Sequence, residues 1–338
     1  MAEHLPLVSF CIKSYNHSAY VREALAGAFA QTYRPLEIVI VDDNSTDSSA
    51  KIIDDEIRKY KESGGDAVVV FERNKRNLGN MGNWLRLCEL AKGELLIKAD
   101  GDDVSVPRRT AVIVDAWLKS GKRAIVVSHR GWNITSTGHR FGLFRLVSRD
   151  MPLGTAMAWR PECWSAFRND IDGFRYYDDD VFARRARMLD GYITADGLRL
   201  QGEIVLDEPL IEYRIGTGVS TEMFNYRRPQ IRCRQKILTG LELARSELEQ
   251  ARNWLHEKNV KRILRDFEQE RKNSEGWLKL LAGKTIGERM SGYRHVKVGP
   301  WWSPMKIQQW LCVWHPIFVD WVLSVYLFLN YWRKRIVG

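Results

Sequence analysis

The chain has 338 residues, 45% of them apolar, and carries 52 Lys and Arg against 42 Asp and Glu, a net charge of +10. The length exceeds one minimal core and falls short of three full domains, so a large domain of roughly 200 residues with an appendage is expected. The apolar share excludes a disordered chain, and the positive charge suits an anionic partner such as nucleic acid, lipid headgroups or a nucleotide.

Cys11, Cys88, Cys163, Cys233 and Cys312 form an odd set without a CxxC pair. Most stand among apolar residues, which argues against a disulfide framework and against a cysteine-based zinc site. The opening "MAEHLPLVSFCIKSYN" has no basic segment leading into an apolar one, so the cytoplasm is the expected compartment.

The first 130 residues alternate in texture. "LVSFCI" (7–12) predicts a buried strand, followed by a helix over about 19–31. "LEIVIVDD" (36–43) predicts the second strand, and "STDSSAKIIDDEIRKY" (45–60) a helix capped by Ser45 or Thr46, with Asp47 near its positive end. "AVVVF" (67–71), a helix over 80–92, "ELLIKA" (94–99), a helix over about 108–120 and "RAIVVS" (123–128) complete the series. Apolar strands alternating with amphipathic helices predict a mainly parallel, doubly wound α/β sheet. Ligands in such sheets bind beyond the carboxyl ends of the strands. That rule selects "KSYN" after the first strand, "DDNSTD" after the second and "DGDD" after the fourth.

Asp100, Asp102 and Asp103 crowd three carboxylates into four positions, and their repulsion raises at least one pKa unless a cation is present. Mg²⁺ or Mn²⁺ suits one or two carboxylates combined with phosphate oxygens and water. An Asp-x-Asp alone is a weak signal, since most acidic loops are merely solvated. "NLGNMGN" (77–83) lacks the order of a phosphate loop and reads as a turn opening a helix, with Asn77 and Asn83 bonding to the sheet. The seven histidines show no metal-ligand spacing, so each is expected at the surface or in the core.

"VSFCIKSYNHSAYVREALAGAFAQTYRPLEIVIVDDNSTDSSAKII" followed by "NLGNMGNWLRLCELAKGELLIKADGDDVSVPRR" resembles the nucleotide-sugar half of family-2 glycosyltransferases with the GT-A fold. The likeness covers residues 6–130 through several separated motifs in order. "GTAMAWRPECW" (154–164) and "YYDDDVFARRARMLDG" (176–191) resemble the family's acceptor strand and acidic helix start less closely. The resemblance implies an inverting, metal-dependent transferase using a UDP-sugar. Lys13 and Tyr15 would line the base and ribose, and Asp43 would accept from the uracil imide. Asp100 would approach the ribose or sugar hydroxyls, Asp102 would bind Mn or Mg, and Asp103 would support that shell. Asp178 or Asp179 would be the general base, since a one-residue slip in "YDDDVF" leaves both open; acids that merely favour a helix start are the plain alternative. Asp42 reads as structural.

Two departures from the family pattern stand out. Gly216 occupies the place after "YR" where a His is frequent, which leaves leaving-group stabilisation to Arg214 or the loop after it. No Gln-x-x-Arg-Trp motif of processive synthases is present, so a single addition is implied.

The expected domains are 1–221, a GT-A domain with a nucleotide-sugar half (6–130) and an acceptor half (131–221), then a helical extension over 222–295 and a Trp-rich tail over 296–338. Ile237, Leu241, Ala244, Leu248, Ala251 and Leu255 form a heptad-like seam that packs as a hairpin or joins a homo-oligomer. Residues 310–332 have the length of a bilayer span, but His315, Pro316 and Asp320 interrupt them. Aromatics ending in Arg333, Lys334 and Arg335 fit peripheral contact of 301–335 with the cytoplasmic face of the inner membrane; a helix buried against protein is the alternative. A glycan or lipid-linked acceptor in cell-surface polysaccharide synthesis would suit that position. A catalytically silent scaffold is the other reading. Nucleic-acid binding is not expected, because the basic residues are dispersed and no binding module is present.

Overall fold

The computed structural model describes residues 5–144, 157–159, 199, 201–215 and 257–296, scattered positions between 231 and 249, and residues 310 and 312–314. Backbone contacts divide the chain into two units, one of 1–217 with 251–263 and another of 218–250 with 264–338.

The first unit is built on β1 (Val8–Ser14), α1 (Val21–Phe29), β2 (Leu36–Asp42), α2 (Ser49–Glu62), β3 (Val68–Arg73), α3 (Gly79–Leu90) and β4 (Leu95–Asp100). β1 and β2 are buried almost throughout, so both of their faces are covered by helices. α1 presents Val21, Ala24, Leu25 and Ala28 on one face at the spacing of helical turns. Each fully buried Val, Leu or Ile here contributes about 1.5–3 kcal/mol relative to exposure. Next come β5 (Val104–Ser105), α4 (Arg109–Lys119), β6 (Ala124–Ile134), β7 (Arg140–Phe144), β8 (Met157–Trp159) and β9 (Gln201–Arg214).

Among the described residues the strands form one sheet in the order β3-β2-β1-β4-β8-β6-β9-β5, with β7 beside β6. β3, β2, β1 and β4 run parallel, while β8 lies antiparallel between β4 and β6. The α/β class and the mainly parallel sheet agree with the sequence, and the structure adds the reversal at β8.

Two local expectations are corrected. α2 begins at Ser49, and Ser45 instead closes a turn on Asp42 through its backbone N–H and hydroxyl. The N-cap position is Ser48, without a side-chain cap bond, and Asp47 before it lies near the helix start as expected, its Oδ1 accepting from the Ser49 backbone N–H and hydroxyl. Burial acts to raise the Asp47 pKa, but hydrogen bonds from Ser49 and Ser18 outweigh it and bring the carboxyl down to about 2. The strand expected over 123–128 continues to Ile134, because its second half pairs with both β7 and β9.

The second unit contains most of α5 (Glu257–Ala282) and all of α6 (Ile286–His295). Thr285 caps α6 in a reciprocal box with Glu288. Gly292 lets the two helices touch, since a Cβ there would lie 2.4 Å from the Leu280 backbone nitrogen. Trp277, Leu280, Leu281, Val296, Cys312 and Val313 form the core, and Arg289 Nε donates to the Val313 carbonyl at 2.7 Å. Among the described residues no helix is long and apolar enough to cross a membrane. Of the heptad-like seam only Leu241 is described, and it is buried.

Candidate active site

β2, β1 and β4 are adjacent and parallel, so their carboxyl ends meet at one edge. Ser14 stands beside Asp42, and Lys13 beside Asp100. The loops after β1 and β2 are joined residue by residue. Asn16 N donates to Ser45 Oγ (2.9 Å), His17 N to Ser49 Oγ (2.8 Å) and Ser18 N to Asp47 Oδ2 (3.0 Å), while Asn16 Oδ1 accepts from Thr46 N (2.9 Å). Asn16 takes a positive φ of 55° to make this possible. The floor of the site is therefore preorganised by backbone N–H groups bonded to short side chains of the facing loop.

Asp43 is buried and its carboxylate organises the start of α3. It accepts from Asn74 Nδ2 (2.8 Å), Leu78 N (2.7 Å) and Gly79 N (2.8 Å). About four lone-pair positions exist on a carboxylate, so Oδ2 keeps room for one further donor. Asn77 bonds the Asp43 carbonyl, and Asn83 reaches the carbonyls of Ser14 and Val41, as the Asn-rich turn suggested. Tyr15 is 38% exposed at the end of β1, open to a ligand.

The "DGDD" turn follows β4. Lys13 Nζ lies 3.2 Å from Asp100 Oδ1 and also donates to Asn80 Oδ1. Asp103 is turned toward β9, where Oδ1 accepts from Arg214 N at 2.9 Å. Asp102 stays nearer the opening, with His17 Nε2 at 3.9 Å from its Oδ1. A Cβ at residue 101 would strike His17 Nδ1 at 2.6 Å, so glycine is required for the ring to lie there.

Arg214 underlies this turn and is itself buried. Nε donates to the Asp102 carbonyl (2.9 Å), Nη1 to the carbonyls of Thr135 (3.1 Å) and Ser136 (2.9 Å), and Nη2 to Glu23 (2.6 Å). Its guanidinium also stacks over Tyr20 at 4.7 Å. Most of its five N–H donors are used inside the protein, so Arg214 braces the turn and does not project toward a leaving group. A second buried guanidinium, Arg109, donates to Ser105 Oγ, the Lys98 carbonyl and His129 Nε2. Burial lowers its pKa to about 9, against the opposing pull of Asp103 and Asp100. The crowded acids are thus offset by Lys13, Arg109 and Arg214. Repulsion alone no longer argues for a metal.

The donor set still fits a hard divalent cation. The Asp102 and Asp100 side chains are 11% and 20% exposed at the mouth of the turn. Among the described residues no three His, Cys, Asp or Glu side chains gather into a complete cage. An ion here would take its remaining ligands from phosphate and water, the usual habit of Mg²⁺. Of the candidates, Lys13, Tyr15, Asp43, Asp100, Asp102 and Asp103 come together at this edge; Asp178, Asp179 and Gly216 lie outside the described residues. The sequence reading passed over His17, Asn74, Asn80 and the bracing role of Arg214. His17 follows the first strand end by three residues, and that position was the available signal.

The glycosyl transferase family 2 profile matches residues 9–182, just over half the chain. An uncharacterized glycosyltransferase of Methanocaldococcus jannaschii is 30% identical over 105 residues, covering 31% of this chain and 34% of the relative. The chain spans about a third of the length of the curated relatives it first matches. A mannosyltransferase from Pyrobaculum calidifontis, solved with GDP-Man and Mn²⁺, superposes with a TM-score of 0.55 at 17% identity, over 98% of this chain and 89% of that one. TarS 1–349 of S. aureus in complex with UDP-GlcNAc gives 0.51 at 16% identity, over 96% and 92%. These likenesses show a shared GT-A fold.

Proposed function

This chain belongs to glycosyl transferase family 2, and on that footing we propose that it transfers one sugar, with inversion, from a UDP-sugar to a hydroxyl of a glycan or lipid-linked acceptor. The observation that carries the reading is the convergence of Lys13, Asp43, Asp100 and Asp102 at the carboxyl ends of three adjacent strands. Lys13 and Tyr15 flank the base and ribose. The open position on Asp43 Oδ2 takes an N–H of the base, and Asp100 takes sugar hydroxyls. Asp102 holds Mn or Mg, with Asp103 fixing the turn against β9. The cation, when bound, neutralises charge on the diphosphate. Asp178 or Asp179 accepts the proton of the acceptor hydroxyl as its oxygen bonds the anomeric carbon and the nucleoside diphosphate departs. TarS with UDP-GlcNAc supports a uridine donor, and the mannosyltransferase with Mn²⁺ supports the cation.

The acceptor reading rests on the tail. Trp310 and Trp314, one helical turn apart, are 49% and 42% exposed, while Cys312 and Val313 between them are buried. Exposed indoles that precede Arg333, Lys334 and Arg335 in the sequence suit the headgroup layer and support a site of action at the cytoplasmic face of the inner membrane, in cell-surface polysaccharide synthesis. The test is a panel of UDP- and GDP-sugars incubated with Mn²⁺ and assayed for release of nucleoside diphosphate. A single UDP-sugar should be consumed and the GDP-sugars left intact. Consumption of GDP-mannose instead would move the base assignment, and consumption of none would end the catalytic reading.

A further inference from the structure

His17 is held with unusual economy for a loop residue. Its N–H donates to Ser49 Oγ at 2.8 Å, and its carbonyl accepts from Tyr20 N and Val21 N, each at 2.8 Å. Ser49 Oγ is fixed in turn by Asp47 Oδ1 at 2.5 Å. The ring lies against Gly101, where no other residue leaves space. Yet this well-placed imidazole makes little use of its nitrogens. Nδ1 is buried without a hydrogen-bond partner, and Nε2 stands 3.9 Å from Asp102 Oδ1. That gap is about 1 Å beyond a hydrogen bond. The ring is therefore placed by its backbone bonds and by Gly101, at a cost of about 1–3 kcal/mol for the unsatisfied Nδ1, with Nε2 directed at Asp102.

The separation suits one shared ion. Two ligand atoms bonded to the same cation at about 2.1 Å stand roughly 3.0 Å apart at right angles and 4.2 Å when opposed. The 3.9 Å between Nε2 and Oδ1 falls inside that span. Neutral imidazole is a common metal ligand, and its tautomer is free to adapt because Nδ1 has no fixed partner.

We infer that His17 is a protein ligand of the divalent cation, sharing it with Asp102, so that the loop after β1 and the turn after β4 are joined through the ion that carries the diphosphate. The inference rests on the catalytic reading above and adds a residue and a metal preference to it. An imidazole nitrogen favours Mn²⁺ over Mg²⁺, which takes oxygen donors and keeps its waters. A site of carboxylate and phosphate alone would show no such bias.

The experiment uses the full chain with Mn²⁺ and UDP. Pulsed electron paramagnetic resonance of the bound Mn²⁺ should show the modulation of a directly bound imidazole nitrogen, absent in His17→Gln. The affinity for Mn²⁺ in the presence of UDP should fall about 10–100-fold in that variant. His17→Asp should bind Mn²⁺ and Mg²⁺ with closer affinities than the natural chain does. Gly101→Ala displaces the ring without removing it and should lose the nitrogen signal as well. Thermal unfolding of each variant separates these effects from loss of fold. Mn²⁺ bound with UDP but without nitrogen modulation, or unchanged affinity in a folded His17→Gln, overturns the role of His17 and leaves the catalytic reading intact. No binding of Mn²⁺ by the natural chain with UDP overturns both.

Discussion

Replacing Arg214 by Met separates a brace from a leaving-group ligand. The guanidinium holds three carbonyls and one carboxylate, but these do not contribute equally. Glu23 is 56% exposed and regains water, so that pair is worth at most about 1 kcal/mol. Thr135 and Ser136 are at least partly exposed, and their carbonyls rehydrate at small cost. The Asp102 carbonyl belongs to a buried residue and would be left unsatisfied, at about 1–3 kcal/mol. The stacking over Tyr20 adds about 0.5–1 kcal/mol. The sum is about 1.5–5 kcal/mol, which lowers Tm by roughly 3–20 °C for a unit of this size. Arg214→Lys keeps the charge but loses the planar fork, so roughly half the loss is expected. Circular dichroism melts measure stability, and titration calorimetry with Mn²⁺ and UDP reports whether the turn still binds. A Met variant melting within about 2 °C of the natural chain, with turnover alone reduced, would refute the bracing role.

The remaining predictions address the base, the buried histidine and the tail. Asp178→Asn or Asp179→Asn should lower transfer by about 10²–10⁴-fold while UDP affinity stays within about twofold; if both variants transfer normally, the base lies elsewhere. His129 is fully buried, accepts from Arg109 Nε at Nε2, and bonds the Arg130 carbonyl through Nδ1. Burial, then Arg109, hold its pKa well below 6.5, so the unfolded chain binds a proton that the folded chain refuses. Its contribution to stability is complete above pH 6.5 and is lost as pH falls, by up to about 1.4 kcal/mol per pH unit. Urea midpoints between pH 7.5 and 5.5 should fall more steeply for the natural chain than for His129→Gln, and parallel curves contradict the assignment. Trp310→Ser with Trp314→Ser should reduce binding to vesicles containing anionic lipid at least tenfold, measured by co-sedimentation; unchanged binding removes these indoles from the membrane reading.

The nucleotide half was legible because its signals are local. β1, β2 and β4 are buried apolar runs, and each ends in polar residues that the strand itself delivers to the sheet edge. β5 has two residues and exists only by pairing with β9 more than a hundred positions away, so no local pattern announces it. The start of α2 was misplaced for a related reason. Ser45 is held by Asp42, three residues earlier, and by Asn16 from the loop after β1, and so is unavailable as a cap. The three acids at "DGDD" were found, but the cations that make them tolerable were not. Lys13 reaches Asp100 across a strand pair, and Arg109 and Arg214 arrive from later elements. His17 was set aside because its value depends on Gly101 and Asp102, which meet it only in three dimensions.

The account stands most directly on one binding measurement: UDP titrated into the full chain with and without Mn²⁺, in the natural protein and in Asp102→Asn. The strand-end site predicts that Mn²⁺ tightens UDP binding at least tenfold in the natural protein and leaves Asp102→Asn unchanged at an unaltered Tm. UDP affinity indifferent to Mn²⁺ in the natural protein, or a cation effect that survives in Asp102→Asn, would contradict it.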